Sequence, residues 1–335
     1  METKRDYSID IMRAIAIVMV VFGHSIIIYS SQWNIYQTTN RVFLFDKIKD
    51  LINVVQMPLF FSLSGALFSP NNVHLAEMLK KKTKRLLVPF VVFGLLWLLP
   101  IRLLIKYPGY NNLSLFYIVF NKIVLGKDNG HLWYLPTLFF CFFLSYIFSA
   151  ISYKFIKNEN IFCLINSALA GILFFLSVVL HFDSYFYPIG SYYIWFTLGR
   201  LLYVNIQNIR KRLTIRVISV VLCMATIVLI LFYFNQRFRL IINTVCSFVW
   251  VITFYIFIPN KQFKITQYIS KNSFGIYLFH SPLVYITYTY WPNYNPVFVL
   301  LINFIGFGSL SLILTELIRH SRFCWLIGDR SSTLK

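Results

Sequence analysis

The sequence predicts an all-α, polytopic integral membrane protein of about ten transmembrane helices, with both termini on the cytoplasmic side. Three observations carry this prediction. Only 13% of the 335 residues are charged, against 58% hydrophobic, where soluble domains carry about a quarter charged residues. Mean hydropathy is +0.68. Ten apolar stretches are each long enough to cross about 30 Å of hydrocarbon as a helix, whereas a β-barrel would show weak alternating segments. Finally, Lys and Arg concentrate in alternate loops, which sets the orientation.

In chain order the spans are expected at 10–29, 48–68, 86–105, 132–151, 160–180, 185–204, 214–234, 239–258, 273–291 and 296–318. The first is not a cleavable signal peptide: it is too long, it carries Asp10 and Arg13, and no small-residue cleavage site follows it. The fifth and sixth are joined by a short His181-Phe182-Asp183-Ser184 turn. The aromatic stretch at 113–125 is too short to span and is expected at the interface. With the N-terminus inside, 22 of the 31 basic residues fall on the cytoplasmic side, five of them in the KKKTKR run at 80–85. An odd number of spans would scramble this alternation. The net charge of +20 is thus explained by cytoplasmic loops, and no nucleic-acid partner is implied.

Residues 1–335 read as a single transmembrane domain with no appended soluble domain, because the longest non-spanning stretch, 106–131, is too short to hold a core. The five cysteines (Cys141, Cys163, Cys223, Cys246, Cys324) show no CxxC spacing, so neither a metal site nor a disulfide framework is expected. Phosphate-binding loops of the GxxxxGK type, HExxH and GxSxG are absent.

Any chemistry must therefore sit within the bundle or at its faces, and the first span is where ionisable groups concentrate. Asp10, Arg13 and His24 share one helical face: at about 100° per residue, Arg13 and His24 lie about 20° apart and Asp10 and His24 about 40° apart. Such groups in a membrane span mark a site facing the interior or a water-filled cavity. The alternative is that Asp10 and Arg13 snorkel to the headgroups and His24 merely packs. Asp10, three residues before Arg13, is placed to hold the arginine side chain.

Further motifs follow in register: MPLFFSLSGALF at 57–68, KRLLVPF at 84–90, HLWYLP at 131–136 and SFGIYLFHSP at 273–282. Together with D-x-x-R-A-I-A and R-x10-H in the first span, this set resembles the membrane-bound acyltransferase-3 family over nearly the whole chain. HLWYLP is similar to the fucose 4-O-acetylase-like and exopolysaccharide-modifying branch. The resemblance implies an enzyme that carries an acyl group, often acetyl, from cytoplasmic acetyl-CoA or another acyl-CoA to a saccharide hydroxyl. Longer members carry an extra extracytoplasmic hydrolase-like domain, which is not expected within residues 1–335.

Transfer from a thioester to an alcohol needs a base and a positioned donor. The catalytic candidates are His24, as general base or acyl acceptor, and Asp10 in support. Arg13, Lys82 and Arg85 are the candidates for the cofactor's phosphates. The loop reads K-x-x-R where the family leads one to expect an arginine pair, and lysine lacks the bidentate fork. Trp133, His131 and His280 are the candidate acceptor-binding residues, with an aromatic interface belt as the plainer reading of the first two. Ser62 to Gly65 offers small residues for close helix approach, and Pro58 is expected to kink the second span. Glu316 is expected to pair with Arg319. No metal is expected.

The implied partners are acyl-CoA, a saccharide or lipid-linked sugar acceptor, and the lipid bilayer, with a homo-oligomer or a polysaccharide-synthase complex as the wider setting. The implied location is a bacterial inner membrane. The competing reading is a non-enzymatic exporter of polysaccharide or lipid-linked sugar, which paired broken helices would favour. None is evident. A third is an inactive scaffold, against which Arg13 and His24 both argue.

Overall fold

The computed structural model describes residues 5–329 apart from 31–32, 34, 70–73, 153–155, 157, 181–184 and 233–238. The turn expected at 181–184 and the loop residues Lys154 and Lys157 lie outside the described residues. Besides short 3-10 turns, the described residues form eleven helices: α1 (Tyr7–Ser25), α2 (Phe43–Ala66), α3 (Leu75–Leu104), α4 (Leu115–Val124), α5 (Tyr134–Ser152), α6 (Glu159–Val179), α7 (Phe186–Arg210), α8 (Leu213–Phe232), α9 (Arg239–Phe257), α10 (Lys264–Tyr290) and α11 (Pro296–Arg319). No strand occurs among the described residues.

Every expected span falls on a helix, and α4 accounts for the short aromatic stretch. Seven of the helices, α1, α3, α5, α6, α8, α9 and α11, are both long and apolar enough to cross a membrane. The chain is therefore a multi-pass membrane protein. Of the remaining four, α4 is short, but α2, α7 and α10 have 24, 25 and 27 residues, so length is not what sets those three apart. They are more polar, and their polar residues point inward: α2 buries Lys49 and Gln56, and α10 buries Asn272 and His280. A helix that lines a polar interior loses apolar content on its inner face, which explains the difference.

Burial sorts the helices into a centre and a periphery. Two thirds of the α1 span is buried, against 17% of the most apolar windows in α8 and α11. Around α1 pack α2 and α10, and α7 lies against α2. The peripheral helices present Leu, Ile, Val and Phe outward, as lipid contact requires.

Local sequence sets the ends. Asp6 caps α1 by accepting from the Ser8 amide at 2.9 Å, and Asn158 and Asn295 cap α6 and α11. The small-residue stretch of α2 meets α7 backbone to backbone: a Cβ on Gly65 would fall 1.8 Å from the Phe196 carbonyl oxygen, and one on Gly199 1.9 Å from that of Ser62. Only glycine permits this approach at either position. Two π-helical turns interrupt α3, at Thr83–Leu87 and Gly94–Leu98, and the first carries Arg85. Such turns redirect side chains within a helix.

One buried cation ties the segment after α3 to the bundle. Arg102 is fully buried; it bridges to Asp128 at 3.1 Å and donates to the Asp128 carbonyl and the Tyr110 and Tyr285 hydroxyls at 2.9–3.1 Å. Its guanidinium stands 4.1 Å from the centre of the Tyr107 ring, a cation–π contact. Burial pushes the phenols of Tyr107 and Tyr110 above their ordinary range and that of Tyr36 up to about 12, so all three remain neutral. The anchor ends at Asp128, two residues before Gly130 and three before His131. It thereby fixes the backbone that delivers His131 to the interior.

Candidate active site

Two cavities lie towards opposite ends of α1 and share part of a wall inside the bundle. The first, of about 410 Å³, lies towards the N-terminal end of α1. Its wall includes Arg13, Lys82, Arg85 and Lys271, with Ser64 and Tyr134 deeper in. The second, of about 520 Å³, lies towards the C-terminal end. It is lined by His24, His131, Trp133, Tyr192 and Trp195, with Lys49, Asn53 and Gln56 from α2. Met57 and Tyr277 belong to both walls.

In the basic cavity the cations are loosely held. Among the described residues Arg13, Lys82, Arg85 and Lys271 make no side-chain hydrogen bond or salt bridge. Lys82 stands 3.2 Å above the centre of the Phe142 ring, which holds its ammonium without neutralising it. Among the described residues the one carboxylate on this wall, Asp329, is already paired with Arg319 at 2.5 Å. A concentration of unneutralised basic side chains at a cavity mouth is suited to phosphate groups.

The histidine cavity is built by hydrogen bonds instead. His24 Nδ1 lies 2.7 Å from His280 Nε2, and His280 Nδ1 lies 2.9 Å from the Ile276 carbonyl oxygen. A carbonyl can only accept, so Nδ1 of His280 carries the proton and its Nε2 accepts. His24 must then donate from Nδ1, which leaves the Nε2 lone pair of neutral His24 uncommitted. His280 is fully buried and His24 half-buried at the cavity wall. The Tyr288 hydroxyl donates to the His24 carbonyl and pins the end of α1 to α10.

His131 packs edge-on against His280, ring centres 5.5 Å apart, and its Nε2 is 3.2 Å from the Leu278 carbonyl oxygen. The Tyr277 hydroxyl donates to the His131 carbonyl. Trp133 sits 5.0 Å from Tyr192, ring to ring, and both face the cavity. This set can position a hydroxyl-bearing ligand over aromatic faces beside an imidazole with a free lone pair. Among the described residues no group of three His, Cys, Asp or Glu side chains is arranged for a metal ion.

The residues singled out from the sequence thus separate cleanly. Arg13, Lys82 and Arg85 meet in one cavity; His24, His131 and Trp133 meet in the other, with His280 behind them. Asp10 joins neither. It does not hold Arg13: its carboxylate pairs with Arg5 at 2.7 Å and accepts from Ser270 Oγ at 2.8 Å. The three-residue spacing permits the expected pair, but Arg13 turns into the cavity, and α10 offers Asp10 a closer partner. Glu316 does pair with Arg319, at 3.1 Å.

Sequence reasoning passed over Lys271, Tyr277 and the Lys49, Asn53, Gln56 series. The last had a signal, because residues at i, i+4 and i+7 share a helical face and a Lys and a Gln within a span are costly there.

Against known families, residues 6–318 match the acyltransferase domain of acyltransferase family 3. No curated protein and no solved structure gives a significant match. The chain belongs to the membrane acyltransferase-3 family and is an acyltransferase.

Proposed function

We propose that the enzyme is an O-acyltransferase that moves an acetyl group from cytoplasmic acetyl-CoA to a hydroxyl of a lipid-linked sugar or growing surface polysaccharide. The observation that carries this reading is the pair of cavities, one basic and one histidine-lined, that share Met57 and Tyr277 as their common wall. A two-substrate transfer between polar partners on opposite faces of a membrane needs such an arrangement. The end of the bundle holding the N-terminus also holds the KKKTKR run and Lys271, so the positive-inside tendency assigns it to the cytoplasm.

In this scheme Arg13, Lys82, Arg85 and Lys271 hold the phosphates of the donor, and its thioester reaches the inner wall. The acceptor enters the histidine cavity and stacks on Trp133 and Tyr192. His24 Nε2 takes the proton of the acceptor hydroxyl as the oxygen bonds to the thioester carbonyl carbon. The tetrahedral intermediate collapses with cleavage of the C–S bond, and His24 returns the proton to the departing thiolate. His280 stabilises the imidazolium by accepting from His24 Nδ1. Asp10 supports the start of α1 through Arg5 and Ser270 and takes no part in the bond changes. The setting is a bacterial inner membrane.

Sealed membrane vesicles test the two-sidedness. Added acetyl-CoA should support transfer in inverted vesicles and, in right-side-out vesicles, only after permeabilisation. Equal activity in both orientations without permeabilisation would contradict the scheme.

A further inference from the structure

The histidine cavity contains a cation that the transfer chemistry does not use. Lys49, on the second turn of α2, is 3% exposed, so it does not snorkel to the surface. Among the described residues its side chain has no ion-pair or hydrogen-bond partner. Asp50, its neighbour in sequence, is bound to Arg239 at 2.7 Å. The ammonium lies on the cavity wall beside Gly23, where a Cβ would come within 3.2 Å of Nζ, one residue from His24. No Asp or Glu lines this cavity among the described residues.

A second unmet group stands next to it. Gln56 is 6% exposed; its Nε2 donates to Asn53 Oδ1 at 3.2 Å, and its Oε1 is buried without a donor. The same absent Cβ of Gly23 would lie 3.4 Å from that oxygen. A buried, unpaired ammonium is destabilising, and so is a buried carbonyl without a donor. Side by side in an open cavity, they are complementary to a ligand that brings a negative charge and a hydroxyl donor.

The geometry points to an acidic saccharide as the acceptor: Lys49 binds a carboxylate or phosphate on the sugar and Gln56 Oε1 accepts from a neighbouring hydroxyl, which places another hydroxyl at His24. This rests on the O-acyltransferase reading and names the acceptor class within it. Trp133 and Tyr192 hold the apolar face of the sugar, and Lys49 sets its register along the cavity. An acceptor with no charge leaves the ammonium unpaired and binds more weakly.

The test is thermal unfolding of the purified full-length protein in detergent with glucuronate, glucose 1-phosphate, glucose, inorganic phosphate or acetyl-CoA. Glucuronate or glucose 1-phosphate, at about tenfold above its dissociation constant, should raise the wild-type melting temperature by about 2–4 °C, and glucose should not. Which of the two anionic sugars acts identifies carboxylate or phosphate. The shift should vanish in Lys49→Gln, persist in Lys49→Arg and shrink in Gly23→Ala, whose new methyl crowds Lys49 and Gln56. Without ligand, Lys49→Gln should melt at or above the wild type, because it removes an unpaired buried charge.

Four results would overturn the inference: an equal shift with glucose, no shift with either anionic sugar, a shift retained in Lys49→Gln, or a large loss of stability in ligand-free Lys49→Gln. Inorganic phosphate matching the sugars would remove the saccharide from it. Acetyl-CoA is read separately. If it fails to stabilise the wild type, the donor reading is at fault; if it stabilises wild type and Lys49→Gln alike while the sugars do nothing, only the acceptor class is wrong.

Discussion

The basic cavity and the histidine cavity are both polar interiors in one bundle, yet they are built on opposite principles. In the first, four cations face open space with no partner among the described residues, and one rests on an aromatic ring. In the second, each histidine is held by others: His24 by His280, His280 by the Ile276 carbonyl, His131 by the Leu278 carbonyl. Phosphate recognition depends chiefly on summed charge, which loosely held side chains supply. Proton transfer depends on which nitrogen holds the proton and where its lone pair points, and only a fixed network supplies that. Substitutions should therefore be graded in the basic cavity and severe in the histidine cavity.

The sharpest break is expected at the end of the histidine network. His24→Ala removes the base and should lower transfer about 10²- to 10⁴-fold with little change in the KM for acyl-CoA. His280→Ala leaves His24 present but free to rotate and to take the other tautomer. The loss of a hydrogen bond to a charged group, about 1.5–3 kcal/mol, corresponds to about 10- to 100-fold in kcat. An accompanying rise in the acyl-CoA KM would show that the two cavities are not independent.

In the basic cavity, Arg13→Gln and Arg85→Gln should each raise the acyl-CoA KM about five- to tenfold while kcat holds, for a charge contact of about 1 kcal/mol. The penalty should shrink as salt screens the remaining charges. The smallest effect is expected for Lys82→Arg, within about twofold, because the charge and its aromatic support are both kept. A large loss there would mean that geometry matters in this cavity too, and the contrast between the cavities would fail.

Much of the fold was legible because lipid imposes a simple code. Runs of about twenty apolar residues mark helices whatever their neighbours do, and each expected span coincides with an observed helix. Several residues of both cavities, among them Arg13, His24 and His280, were also visible individually, since an ionisable group in a span is costly enough to stand out. What could not be read was their grouping. His24 meets His280 across 256 positions and Asp10 meets Ser270 across 260, and no local periodicity encodes such contacts. Asp10 shows the risk directly: helical spacing offered Arg13 as its partner, and tertiary packing supplied Arg5 and Ser270. Lys49 was overlooked although it falls just inside the second expected span, because its burial on a cavity wall depends on how α1 and α2 pack, which spacing alone does not encode.

The most direct test is acyl transfer from radiolabelled acetyl-CoA in membranes carrying the wild type or His24→Ala at equal protein levels. Label entering a polysaccharide or lipid-linked fraction with the wild type, and falling at least about 100-fold with His24→Ala, is the predicted result. Equal labelling by the two proteins would contradict it and remove the His24–His280 pair from the chemistry.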